Sequence, residues 1–97
     1  MIYVGFRSRV VALDRNDGST RWTWKSHAGT GYVTLLLDGD RLIVSVMGYT
    51  YCLDPATGAE MWFNALEGLG VGVASLASSR GSSPGPLAQA EQTDQQQ

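Results

Sequence analysis

The sequence predicts an all-β protein built from antiparallel four-stranded sheets, and three observations support this fold class. The 97-residue chain resembles itself when it is shifted by 40 residues. Short segments rich in β-branched and aromatic residues alternate with turn-forming residues such as Gly, Pro, Asn and Asp. No segment has apolar residues at the 3.6-residue spacing of an amphipathic helix. This combination is typical of small, repeated β-sheets.

The internal repeat relates residues 2–22 to residues 42–62. The shift places five residues on identical ones without a gap: Val4 on Val44, Leu13 on Leu53, Asp14 on Asp54, Gly18 on Gly58 and Trp22 on Trp62. Average composition would give about one or two identities in such a window by chance. Because a period near 40 with a recurring Trp is typical of β-propeller blades, the pattern predicts propeller repeats.

Eight strands follow one another along these repeats. Their predicted bounds are 2–6, 9–14, 19–25, 32–37, 41–47, 49–54, 59–63 and 71–76. Residues 16–18, 38–39 and 55–58 supply the turns, because Asn, Asp, Gly and Pro favour turn dihedral angles. A blade has four antiparallel strands from inner A to outer D, so the predicted order is B-C-D-A-B-C-D-A. The first blade therefore lacks its inner strand, and a lone inner strand follows the second blade.

These two defects complement each other between copies of the chain. A two-blade chain leaves two large apolar faces and unpaired strand edges open, which is rare in soluble monomers. The last strand of one copy can pair with the first strand of the next, and this contact is head-to-tail. Because propellers close with about 4–8 blades, we expect a ring of two to four copies, with four favoured.

The stretches VVALDRNDGSTRW and TYCLDPATGAEMW resemble the signature of pyrroloquinoline quinone (PQQ)-like propeller repeats. The matching positions are Asp14, Gly18, Trp22, Asp54, Gly58 and Trp62. In that family the Trp residues join neighbouring blades, so the resemblance implies that these six residues are structural. The residue types suit this role, because Gly permits tight turns, Asp accepts backbone hydrogen bonds and Trp offers a large apolar face.

The same family includes quinone dehydrogenases, which hold PQQ and calcium in a central funnel, and non-enzymatic members that act in protein assembly. The dehydrogenase site requires carboxylates, an Asn, a Trp platform and often a vicinal disulfide. Here Cys52 is the single cysteine, and no Asp or Glu lies on a predicted inner strand before Asp38. We therefore expect neither PQQ nor calcium as a cofactor, and no catalytic or metal-binding residue.

Composition argues against several other classes of protein. With 7 Lys and Arg against 9 Asp and Glu, and a net charge of −2, the chain lacks the basic surface of a nucleic-acid-binding protein. One Cys and one His exclude an internal disulfide and multi-Cys or multi-His metal sites. The longest apolar run, residues 33–37, contains Thr34, so no membrane span is predicted. No signal peptide is predicted, and the compartment stays open because related repeats are often exported.

Arg7, Lys25 and His27 are weak candidates for a ligand-binding rim. The loops that carry them lie at the same end of a propeller, and a basic rim can attract an anionic ligand or partner. Charged residues are also common in loops that have no function, so the sequence leaves this role open.

The folded part is predicted to span residues 1–77, with repeats at about 1–31 and 32–70 and the inner strand at 71–76. Residues 78–97 are rich in Ser, Gly, Pro and Gln and are predicted to form a disordered tail. The favoured function is a non-catalytic binding or scaffold module for protein–protein interaction or self-assembly. A subunit of a quinoprotein-like enzyme with a composite funnel site, and a fragment of a longer propeller without a task of its own, remain as alternatives.

Overall fold

The structure is a computed structural model of the chain and describes residues 1–83. These residues form nine β-strands and no helix. The strands are β1 (Ile2–Phe6), β2 (Arg9–Leu13), β3 (Thr20–Lys25), β4 (Val33–Asp38), β5 (Arg41–Val46), β6 (Tyr49–Leu53), β7 (Glu60–Asn64), β8 (Leu76–Ser78) and β9 (Gly81–Ser83). The predicted all-β class is confirmed.

Strands β1–β3 form the first sheet and strands β4–β7 the second, both antiparallel and in sequential order. This is the predicted order B-C-D followed by A-B-C-D. The strands are paired in the same register within each sheet, since Ala12 lies opposite Trp22 just as Cys52 lies opposite Trp62. Each ladder also shifts register at the next residue, Leu13 or Leu53. The 40-residue repeat of the sequence is therefore a repeat of backbone structure.

Two-residue turns join β1 to β2 and β5 to β6. Their φ angles are all positive: 43° at Arg7, 67° at Ser8, 52° at Met47 and 100° at Gly48. Positive φ at both central residues is typical of type I′ turns, whose twist matches that of the flanking strands. Ser8 adopts this conformation without being a glycine, and its Oγ accepts a hydrogen bond from the Gly31 N–H at 2.9 Å. This bond holds the turn against the loop between β3 and β4.

The hydrophobic core lies between the first and second sheets. Its buried cluster consists of Val10, Leu42, Val44, Val46, Tyr51 and Leu53, of which only Val10 belongs to the first sheet. The side chains of Tyr3, Trp22 and Trp24 pack against this cluster from the first sheet. Since a single sheet has no second layer to cover it, each sheet depends on the other for its buried surface.

The last predicted strand is wrong in its position. It was expected at residues 71–76, but β8 begins at Leu76 and forms a hairpin with β9. The hairpin packs beside β4, where the Ser78 hydroxyl donates a hydrogen bond to the Asp38 carboxylate at 3.1 Å. The predicted tail boundary is wrong for the same reason, because residues 78–83 belong to this hairpin. The rest of the predicted tail, residues 84–97, lies outside the described residues.

The β8–β9 hairpin is the beginning of a third repeat. Leu76 lies opposite Ser83, as Leu36 lies opposite Ile43 one period earlier. The β8–β9 ladder is shorter than the β4–β5 ladder, and the sequence gives a reason: the next residue is Pro84, which has no amide N–H for a strand ladder. Apolar residues in 71–76 suggested an earlier strand, but a strand also needs a partner of matching length.

The hydroxyl groups of two buried serines, Ser8 and Ser45, differ in their hydrogen bonding. Within the described residues Ser45 Oγ is buried without a hydrogen-bond partner, whereas the buried Ser8 Oγ has one. A buried hydroxyl without a partner is destabilising. We therefore expect Ser45→Ala to raise the free energy of unfolding by about 1 kcal/mol and Ser8→Ala to lower it by about 1 kcal/mol. Urea denaturation measures both, and an equal loss in the two variants would contradict this account.

Candidate functional site

The contact between the two sheets centres on Trp22 and the turn formed by residues 54–58. The Trp22 indole N–H donates a hydrogen bond to the carbonyl oxygen of Pro55 at 2.9 Å. The hydroxyl of Tyr3 donates to the same carbonyl at 3.0 Å. The indole ring lies over Gly58, where an added Cβ would come within 2.6 Å of Cδ2 and Cε3 of the ring. Trp22 thus bridges the first sheet to a turn of the second.

The geometry of the 54–58 turn follows from its residues. The Gly58 N–H donates to the Asp54 carbonyl at 2.8 Å, and the Asp54 carboxylate accepts from the Ala56 N–H at 2.8 Å. Gly58 has φ +78°, a left-handed conformation that Gly adopts without the steric cost of a Cβ. The missing Cβ also leaves the space that the Trp22 ring occupies. Glycine therefore serves both the turn and the contact.

Residues 14–18 form the same turn in the first sheet. The Gly18 N–H donates to the Asp14 carbonyl at 2.8 Å, and the Asp14 carboxylate accepts from the Asn16 N–H at 2.8 Å. Gly18 has φ +74°, but none of the described residues lies within 4 Å of an added Cβ there. The 14–18 turn therefore repeats the 54–58 turn without an indole on it.

The two repeated tryptophans differ in their surroundings. A role in joining blades implies that both side chains are buried, but Trp22 is half-buried and Trp62 is 48% exposed. Trp62 projects from the face of the second sheet that is turned away from the first sheet, as its pairing with Cys52 indicates. Among residues 1–83 no turn of this type covers Trp62, so its role in joining blades stays a prediction.

The first sheet also has an uncovered side, which we call the open face. Its apolar members Ile2, Val4 and Phe6 are 51%, 40% and 63% exposed. The equivalent residues of the second sheet, one period later, are fully buried against the first sheet: Leu42, Val44 and Val46. In addition, β1 is the edge strand of its sheet, and a groove of about 480 Å³ lined by Gly5, Phe6, Arg7, Gly31, Tyr32 and Val33 lies beside it.

His27, one of the predicted rim residues, takes part in the contact between the sheets. Its Nε2 lies 3.0 Å from the Glu60 carboxylate, and its ring lies 4.7 Å from that of Phe63. Beside it, the Tyr51 hydroxyl donates to the Ala28 carbonyl at 2.6 Å and accepts from the Ala28 N–H at 2.9 Å. Burial raises the pKa of the Tyr51 phenol, which favours the neutral form that donates this hydrogen bond.

Arg7 lies in the turn between β1 and β2, and Lys25 and His27 lie at the end of β3 and in the loop after it. The Ser26 N–H donates to the Ser8 carbonyl at 2.8 Å and so holds the two loops together. Arg7 lies over the ring of Phe6, with 5.9 Å between its guanidinium carbon and the ring centre, and points to the open face rather than to His27. Whether these residues bind a ligand remains a prediction.

The described residues contain few groups suited to catalysis. Within residues 1–83 no three His, Cys, Asp or Glu side chains are grouped as a metal site, and no helix is long and apolar enough to cross a membrane. Cys52 is fully buried, and burial raises the pKa of its thiol. A buried thiol of raised pKa is a poor nucleophile.

The family comparison agrees with the geometry of the repeats. The sequence model of a family of PQQ-like repeats, described as outer membrane protein assembly factor BamB, matches residues 7–93. The chain belongs to this BamB-type family. The match confirms the predicted PQQ-like propeller repeat and extends well into the third repeat. A search of curated proteins finds no match.

The sequence predicted Trp22, Gly58 and the rest of the BamB-type motif but not the polar side chains that also join the two sheets. Tyr3, Tyr51 and Glu60 were not singled out, although all three contact the opposite sheet. Each stands where the other repeat has a different type of residue, and such departures from the repeat are a usable signal for contacts particular to one pair of sheets.

The two tryptophans form a matched pair for measuring the contact between the sheets. In dilute, monomeric protein we expect Trp22→Ala to lower the free energy of unfolding by about 3 kcal/mol, because it removes a packed ring and the bond to Pro55. Trp62→Ala should lower it by less than about 1 kcal/mol, because that side chain is exposed. Thermal and urea unfolding measure both values, and similar losses would contradict the assigned role of Trp22.

The two turn glycines form a second matched pair. Gly18→Ala and Gly58→Ala impose the same left-handed strain, on the order of 1 kcal/mol, since the φ angles differ by only a few degrees. Gly58→Ala should cost clearly more, because its Cβ would displace the Trp22 ring. In a Trp22→Ala background the two substitutions should cost the same, which a double-mutant cycle measures. A difference that persists in this background would show that Trp22 is not its cause.

Proposed function

We propose that this chain is a non-catalytic propeller module that mediates protein–protein interaction and self-assembly. The observation that carries the proposal is the open face. Three apolar side chains that are buried in the second repeat, Leu42, Val44 and Val46, have exposed equivalents in the first repeat: Ile2, Val4 and Phe6. Exposed apolar surface of this kind in a folded protein is typical of interaction sites.

Two further features support an interaction role. The edge of β1 leaves backbone N–H and C=O groups free on one side, and such an edge accepts an added strand from a partner. The family to which the chain belongs is described by the name of an assembly factor.

The partner that fits both features best is a second copy of the chain. The first sheet lacks an inner strand, and the chain carries inner-strand material at β8 beyond the second sheet. A head-to-tail contact between these ends completes a four-stranded blade. We propose two to four copies, with four favoured because two full blades per copy then give an eight-bladed ring. In the monomer β9 pairs with β8, so this contact requires β9 to leave that edge.

Native mass spectrometry of the wild-type chain over a range of concentrations tests the proposal. We expect oligomers of two to four copies that dissociate on dilution. Val4→Glu places a charge on the open face and should abolish them. Met61→Glu is the matched control, because Met61 is a similarly exposed apolar residue of β7 outside the open face, and it should leave them intact. A wild-type chain that stays a folded monomer at high micromolar concentration would overturn self-assembly and favour a fragment without its own task.

A further inference from the structure

Each sheet carries a Trp side chain and an Asp–Gly turn that can join it to a neighbouring sheet. In each sheet, one of these two parts is in contact with the other sheet and one is not. The first sheet supplies Trp22, which rests on the 54–58 turn, while its own 14–18 turn carries no indole. The second sheet supplies the 54–58 turn, while its own Trp62 is exposed. One molecule therefore holds one unoccupied turn and one exposed indole of matching type.

We propose that the 14–18 turn is a binding site for the Trp62 side chain of a second copy. This inference rests on the proposed self-assembly and names the contact that would carry it. The Trp62 ring lies over Gly18, in the space where nothing approaches within 4 Å, as the Trp22 ring lies over Gly58. Its indole N–H donates to the carbonyl oxygen of Arg15, the residue that stands where Pro55 stands in the second repeat.

The similarity of the two turns supports this assignment more strongly than exposure alone. Their internal hydrogen bonds have equal lengths of 2.8 Å, and their glycines have φ +74° and +78°. The surface beside the turn is also repeated, because Ile2, Val4 and Phe6 replace Leu42, Val44 and Val46. The contact between copies thus continues the geometry of the contact already formed within the chain.

The contact between copies is weaker than the contact within the chain. Three polar or aromatic side chains of the internal contact, Tyr3, Trp24 and His27, are replaced one period later by Ile43, Asn64 and Glu67. The hydrogen bonds that these three make to the second sheet therefore have no direct equivalent. Since Trp62 is the main group retained, it becomes the residue on which association depends.

The same placement assigns a position to β1 of the second copy. In the β4–β5 ladder Leu36 lies opposite Ile43, and the period places Leu76 opposite Tyr3 of the second copy. Ser83 of β9 occupies that position within the monomer, so β1 of the second copy replaces β9. A ladder with β1 extends to Val73, which β9 leaves unpaired and which is 45% exposed.

Two variants test the contact by complementation. Gly18→Asn fills the site on the turn but tolerates left-handed φ, and none of residues 1–83 lies within 4 Å of the added Cβ. Trp62→Ala removes the exposed indole and leaves the turn intact. Each variant alone should raise the dissociation constant for self-association at least about tenfold. A mixture of the two should form a one-to-one heterodimer and nothing larger, because one intact turn and one intact indole remain.

Sedimentation velocity and native mass spectrometry of the mixture, with one variant isotope-labelled, measure this outcome. Gly68→Asn and Met61→Ala are the matched controls, since Gly68 also has positive φ (+82°) and open space at its Cβ, and Met61 is an exposed neighbour of Trp62. Both controls should associate like the wild type. If the wild type associates but the variants do so equally well, or their mixture gives no heterodimer, the Trp62 contact is wrong while self-assembly stands. If the wild type stays monomeric, both proposals fail.

Discussion

The fold depends on the packing of the Trp22 indole ring against the 54–58 turn. Trp22 packs over Gly58 and donates a hydrogen bond to the Pro55 carbonyl, and the buried cluster of the molecule lies beside this contact. Because each sheet is a single layer, neither can bury an apolar surface until the other covers it. A chain with a core this small has little stability to spare, so the geometry of this turn matters to the whole structure.

A second set of contacts, made by Tyr51 and His27 at one end of the molecule, joins the same two sheets. The loop after β3 holds the Tyr51 hydroxyl between the N–H and the carbonyl of Ala28, and His27 lies between Glu60 and Phe63. These polar contacts are directional, so they constrain the orientation of the sheets in a way that non-directional apolar burial does not. His27, one of the predicted rim residues, thus has a structural partner in Glu60.

The repeat explains why a folded molecule of this kind also has open surface. A propeller blade has two faces, and each face is made to pack against a neighbouring blade. Two blades bury one face each and leave the other two, with Ile2, Val4 and Phe6 on one side and Trp62 on the other. The repeated motif therefore stabilises the contact between the two sheets of one chain. Equivalent residues are exposed on the outer faces, where the same type of contact can form between copies.

The sequence by itself determined the local structure of this protein. Alternating side chains, turn residues and the 40-residue period were enough to place β1 to β7 within one or two residues and to find the motif of Asp14, Gly18 and Trp22, because these features depend on neighbours near in the chain. Only the tertiary structure decided which of the two repeated Trp residues packs against a turn, and this residue is Trp22. Trp62 is exposed and the strand expected at 71–76 forms later, since burial and strand pairing both require a partner that no local pattern supplies.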